Sequence, residues 1–149
     1  MSKGGEQVYN EAYLHLNKKY GDFPNLGFHA HKWCADFVSW VAGNAGQSQA
    51  IPKNSAVSGL QSAIKDAGGI EYSKASIQNG EYVAKRGDII IFKNNESHVG
   101  IVDYQSNDTI YYIDGNNVTN GNGNNSCVHY SSRSIYHKNI TCVLRPNYR

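Results

Sequence analysis

The sequence is poor in charge. Asp, Glu, Lys and Arg together make 17% of its 149 residues, which excludes a disordered chain and a coiled coil. Long apolar runs are missing as well. The longest tight one, Ile89 to Phe92, is strand-sized, far short of the ~20 residues a membrane helix needs. The opening Met1-Ser2-Lys3-Gly4-Gly5 lacks the apolar stretch of a signal peptide. The formal net charge is only +2, without a dense Lys/Arg cluster, so the phosphate-neutralising stripe of a nucleic-acid binder is absent. Cysteine is sparse and odd in number, at three; a framework of pairs would leave one over.

What remains is rich in Tyr, Gly and Asn, with an Asn/Gly run from Asn116 to Asn125. The length is that of one domain, spanning residues 1–149, and it suffices to bury about 70% of the unfolded surface. The chain changes character once. Residues 5–67 read as helices and residues 82–145 as strands, which predicts an α+β domain with helices packed on an antiparallel sheet.

The periodicity predicts a first helix over Glu6–Tyr20, with Val8, Ala12 and Leu16 on one face and Gly21 as its stop. A polar loop, Asp22–Lys32, leads to a second helix from about Trp33, closed by Gly46. A third covers Ser55–Ala67, with Ser55 as its cap and Gly68-Gly69 at its end. Strands follow at Asp88–Lys93, Ser97–Tyr104, Thr109–Asp114, Ser126–Tyr130 and Thr141–Arg145.

Three positions carry candidate chemistry. Cys34 opens the second helix, where unpaired N–H groups and the helix dipole favour thiolate over thiol. The same N–H groups can hold a developing oxyanion. His98 begins the apolar strand His98-Val99-Gly100-Ile101-Val102, a rigid yet reachable place for a general base. Gly100 has no side chain, so a neighbouring segment or a ligand can come close. The next strand ends in Tyr112-Ile113-Asp114-Gly115-Asn116. Either Asp114 or Asn116 could fix the imidazole there. Helix-start Cys, strand-start His and a polar residue on the adjoining strand make a nucleophile, base and orienter.

With these blocks in view, the sequence resembles the CHAP domains, the cysteine, histidine-dependent amidohydrolases/peptidases. The resemblance rests on Trp33-Cys34-Ala35-Asp36-Phe37-Val38-Ser39-Trp40, Arg86-Gly87-Asp88-Ile89-Ile90-Ile91-Phe92, His98-Val99-Gly100-Ile101-Val102 and Ile113-Asp114-Gly115-Asn116. The closing Leu144-Arg145-Pro146-Asn147-Tyr148 also looks like the family's last strand. It implies a papain-like (NlpC/P60-type) fold, with N-terminal helices on a five- to six-stranded antiparallel sheet. It implies a cysteine amidohydrolase or endopeptidase cutting an amide bond of bacterial peptidoglycan through a thioester. The family's nucleophile falls on Cys34, its base on His98, its acid (often Glu) on Asp114 and its Asn on Asn116. The Asp-for-Glu change shortens the reach by one methylene.

Around these residues, Trp33, Phe28, His31 and Tyr112 are candidate substrate-binding walls, and the Asn116–Asn125 loop a candidate rim. Some phage members of the family bind calcium before the nucleophile. Here only Asp36, His31 and Asn25 match such a site, too few for an ion that takes six to eight oxygens. Zinc would need more than His29, His31 and Cys34. No metal or cofactor is expected, and no membrane span or nucleic acid. The expected partner is peptidoglycan, met by a monomer at the bacterial cell wall, as a phage endolysin or a secreted enzyme. A papain-like amidase toxin and a non-catalytic wall-binding module are the alternatives; the presence of both Cys34 and His98 argues against the second. Cys127 and Cys142 would face each other across a hairpin centred near Ser134, either bridged or reduced.

Overall fold

A computed structural model of the chain describes residues 3–117 and 126–149. The elements run α1 (Lys3–Tyr13), α2 (Cys34–Asn44), α3 (Val57–Asp66), β1 (Ile70–Ser73), α4 (Lys74–Gln78), β2 (Ile89–Phe92), β3 (His98–Ser106), β4 (Thr109–Asn117), β5 (Cys127–Ser134) and β6 (Ile140–Arg145). The six strands form one sheet in the order β1-β6-β2-β3-β4-β5, and each neighbouring pair is antiparallel. The α+β class read from the sequence is the class observed. Among the described residues, no helix is long and apolar enough to cross a membrane.

The sheet is buried on both faces. Ile89 and Ile91 join Val8, Phe37, Val38, Val99 and Ile113 in a core beneath the helices. Ile90 and Phe92 join Ile77, Val102, Tyr112 and Val143 on the other side. This is why β2 reads as an unbroken apolar run rather than an alternation.

Helix α2 packs across β3 and β4, and two glycines set how closely the layers meet. A Cβ on Gly115 would lie 2.7 Å from Phe37 Cβ and 2.9 Å from Trp33 Cζ3. Gly115 therefore lets the start of α2 press directly on β4, between Asp114 and Asn116. A Cβ on Gly100 would lie 2.5 Å from Tyr112 Cδ2. The close approach expected at Gly100 is that of Tyr112 on the adjoining strand.

The first helix is shorter than its periodicity predicts. After Tyr13 the turn tightens, with His15 N–H donating to Ala12 O and Leu16 N–H to Tyr13 O. Asn17 then takes a left-handed conformation (φ 72°), and its N–H goes to Val128 O on β5. The sheet captures the chain before Gly21 is reached. At the other end the helix already includes Lys3, Gly4 and Gly5, and Gly4 lies tight against Tyr148 and Gly5 against Arg86 O, where no side chain fits. Helix α3 begins at Val57 without a side-chain cap, since the Ser55 hydroxyl donates to Asp36 Oδ1 instead. Two elements have no counterpart in the sequence reading. Strand β1 is short, largely exposed and paired only with β6. Helix α4 is a five-residue turn capped by the Ser73 hydroxyl.

The expected Cys127–Cys142 hairpin does not form. Strand β5 pairs with β4, and β6 lies between β1 and β2. Four strand spacings, roughly 19 Å, separate the two cysteines, whereas a disulfide needs Cα atoms within about 7 Å. All three cysteines are free and buried. A thiol count in denaturant without reductant should find three. Gly115→Ala should cost roughly 1–3 kcal/mol of stability by overpacking, read as a lowered midpoint in urea; an unchanged midpoint would contradict the tight α2–β4 contact.

Candidate active site

The second helix begins at Cys34 with Trp33 as its N-cap, and no side chain caps it. The first-turn N–H groups are therefore not occupied by a capping oxygen. Trp33 fixes this helix start by burial. It is fully buried, and its indole N–H donates to the Ser126 hydroxyl at 2.9 Å. Cys34 opens onto a hollow of about 450 Å³, shared with His31, Lys32, Ser58, Ser97 and Asn116. Its thiol lies 4.0 Å from Ser97 O, in the residue just before His98.

His98 sits where β3 begins, opposite Phe92 of β2 and stacked against its ring. Its Nε2 lies 2.6 Å from Asp114 Oδ2, which leaves Nδ1 for the cysteine. Burial alone would pull the imidazole's pKa down. The hydrogen bond to Asp114 and the neighbouring Cys34 outweigh it and push the pKa up to about 10.

Asp114 is 1% exposed, yet its carboxylate is well supplied with donors. Beside His98, Oδ1 accepts from the Ser131 hydroxyl at 2.8 Å, and the Asn117 amide donates to Oδ2 at 3.1 Å. The shorter acid thus reaches His98 without strain on the pair. Of Asp114 and Asn116, the one hydrogen-bonded to His98 is Asp114. Continuing the Ile101↔Ile113 register would set Asn116 across from His98, with Asp114 on the diagonal. The β3–β4 pairing stops at Ile113, the β4–β5 ladder shifts register between Asp114 and Asn117, and Asn116 turns left-handed (φ 56°). Its amide donates to His31 O at 3.1 Å. Asn116 ties the loop before Cys34 to β4 and does not touch His98.

Of the four candidate walls, one stands in the cleft. His31 lines the hollow beside Cys34. Trp33 is core, as are Tyr112, at 2% exposure, and Phe28, stacked on Trp33. Phe28 does line a hollow, but a different one of about 260 Å³ with Leu26, Trp40 and Lys53. Trp33 and Phe28 lie in the helix-side core, whereas Tyr112 lies in the core of the other face and lines a separate hollow with Asn117, Ser131 and Arg133. The rim expected from the Asn/Gly run lies outside the described residues from 118 to 125.

Ser131, which the sequence reading did not single out, and Asp36, which it considered only for calcium, help hold the constellation together. Ser131 is 17 positions from Asp114, and only the β4–β5 pairing, with Asp114 opposite His129, brings it near. Asp36 clasps both sides of the cleft: Oδ2 accepts from the His29 N–H and meets His29 Nδ1, while Oδ1 accepts from Ser55. Asp36 was the acid a calcium ion would need in this loop, and its oxygens are engaged by the protein. Among the described residues, no group of three or more His, Cys, Asp and Glu could hold a metal ion.

Against this geometry, comparison with known proteins is informative. Two crystal structures of Ly7917 share the fold. One is 14% identical (TM-score 0.61), over 95% of this chain and 62% of that one. The other, with the hydrolyzing product of MDP, is 13% identical with the same score and coverage. This chain therefore spans about 62% of the length of Ly7917. An N-acetylmuramoyl-L-alanine amidase from Bacteroides uniformis ATCC 8492 is 13% identical (TM-score 0.55), over 97% of this chain and 99% of that one. No curated protein matches the sequence. The family model of the CHAP domain matches residues 26–116, more than half the chain and a span that contains Cys34, His98 and Asp114, and the chain belongs to the CHAP domain family.

Proposed function

We propose that this protein is a peptidoglycan hydrolase that cleaves an amide bond with Cys34 as nucleophile, His98 as acid and base, and Asp114 as the residue that orients His98. Family membership and the amidase fold support hydrolysis of the cell wall. The single observation that carries the mechanism is the buried Asp114–His98 pair standing over a helix-start cysteine. A wall-binding module would gain nothing from a buried carboxylate holding a charged imidazole beside a thiol, because burying such charges is costly unless they are used or well paired.

In this reading the Cys34 thiolate attacks the scissile carbonyl carbon. The carbonyl oxygen becomes an oxyanion and takes hydrogen bonds from the N–H of Cys34 at the start of α2. The His98 imidazolium gives its Nδ1 proton to the leaving nitrogen, the C–N bond breaks, and a thioester remains on Cys34. The now neutral His98 takes a proton from water, which attacks the thioester and frees the carboxylate. Asp114 keeps Nε2 protonated throughout and stabilises the imidazolium. Asn116 acts through the loop it holds, fixing His31 beside the nucleophile. The other two cysteines take no part: burial raises the pKa of Cys127 and pushes that of Cys142 up to about 12, so neither thiol is reactive near neutral pH.

Cys34→Ala should lower the clearing of purified cell walls by roughly a thousandfold or more while leaving the circular dichroism spectrum intact; undiminished clearing would overturn the proposal. The raised pKa of His98 fixes the direction of its pH dependence. Protonation of the folded state adds stability in full below about pH 6.5, and that contribution is lost as pH rises through about 10. Ring nitrogen shifts should therefore report an imidazolium at pH 8. Asp114→Asn and Cys34→Ala should each lower the midpoint, and a midpoint near 6.5 in the native protein would contradict the coupled pair.

A further inference from the structure

A second hollow, of about 220 Å³, adjoins the one that holds Cys34. Glu96, His98, Asp114, Asn117 and Arg133 line it, and Ser97 and Asn116 belong to both. The two hollows therefore form one groove that passes His98. Proton delivery gives this groove a direction. The leaving nitrogen must meet His98, so the leaving fragment lies on the Arg133 side and the acyl fragment on the Cys34 side.

Arg133 is firmly held there. Its Nη1 donates to Glu96 Oε2 at 2.7 Å and its Nη2 to Oε1 at 3.3 Å. The guanidinium lies 3.9 Å over the Phe92 ring. Glu96 accepts a further bond from the Asn139 amide. Its two oxygens are thus well supplied, and Glu96 has little left for a ligand. Arg133 differs: a guanidinium carries five N–H donors, and Glu96 and Tyr112 engage only part of them. Its side chain is 19% exposed. The pair offers the groove spare donors on a fixed cation, which matches an anionic acceptor.

The spacing selects where that anion sits. Both Arg133 and His98 contact the Phe92 ring, the guanidinium 3.9 Å and the imidazole 6.2 Å from its centroid. Arg133 therefore stands within reach of a peptide whose leaving nitrogen meets the imidazole, and both line the same hollow. A peptide extends roughly 3.3–3.6 Å per residue, so a group on the second residue after the scissile bond falls to Arg133. We propose that Arg133 is a specificity determinant that receives a free carboxylate carried on the second residue of the leaving peptide. This rests on the hydrolase reading above and deepens it: a stem with the acid at that position is favoured over one with the carboxamide, and a leaving fragment of uncharged glycines is not.

The test uses two dipeptides with the γ-carboxyl blocked as its methylamide, L-Ala-D-isoglutamate (free α-carboxylate) and L-Ala-D-isoglutamine (α-carboxamide), titrated by calorimetry into full-length Cys34→Ala protein. The acid should bind at least about tenfold more tightly. Adding Arg133→Gln should bring the ratio close to one, and Arg133→Lys should keep part of it, with the unfolding midpoint of each variant showing that it is folded. Equal binding of acid and amide to the Arg133 protein overturns the proposal, as does a ratio that survives in Arg133→Gln. Clearing of cell walls by the unmodified protein is scored separately. A chain that binds the acid selectively but never clears walls contradicts the hydrolase reading, whereas one that clears walls and binds both dipeptides alike contradicts only the role of Arg133.

Discussion

The hydrogen bond between His98 Nε2 and Asp114 Oδ2 organises this molecule. A carboxylate at 1% exposure is tolerated only when donors surround it. Here they come from three adjoining strands: His98 from β3, Asn117 from β4 and Ser131 from β5. The register of the sheet is thus written into the site. A slip of one residue in β5 would turn Ser131 to the other face and leave one carboxylate oxygen poorer. The same bond decides the state of the imidazole, and through it what the neighbouring thiol meets. Stability and chemistry depend on the same few atoms.

The cysteine reaches this pair from a different layer, and the approach is set by what is missing from β4. Gly115 has no side chain, so Trp33 and Phe37 of α2 lie flat against the strand between Asp114 and Asn116. A register shift of the β4–β5 ladder falls between Asp114 and Asn117, and the left-handed Asn116 within it bonds the loop before Cys34. One short segment, Asp114-Gly115-Asn116, therefore holds His98, seats the helix of Cys34 and anchors the loop upstream of it. Asp36 completes the arrangement from inside α2 by holding His29 and Ser55 on the two sides of the cleft. The aromatic residues Phe28 and Trp33 support this from the helix-side core.

Much of this was legible in the sequence because it is local. The apolar stripe of α2, Gly46 after it, the continuous Ile89–Phe92 run and the turn residues between strands all act within a few positions. The places of Cys34, His98 and Asp114 in the fold were legible for the same reason: each lies near the end of an element whose period can be read. What was not legible depends on partners far along the chain. Nothing near Leu14 signals that Val128 will take the Asn17 N–H and end the first helix early. Nothing near Cys127 says that β6 will insert between β1 and β2 rather than pair with β5. Ser131 and Arg133 look like ordinary surface positions until β4 and β5 are in register. The choice between Asp114 and Asn116 was beyond the sequence too, because an ideal ladder favours Asn116, whereas the bond to His98 comes from Asp114.

The central claim is covalent: an acyl group passes through the sulfur of Cys34. The direct measurement is mass spectrometry of protein quenched in acid during turnover of purified peptidoglycan fragments. The account predicts a hydroxylamine-labile acyl adduct on the peptide that contains Cys34, forming and decaying as product appears. Product accumulating with Cys34 unmodified at every time point would contradict it.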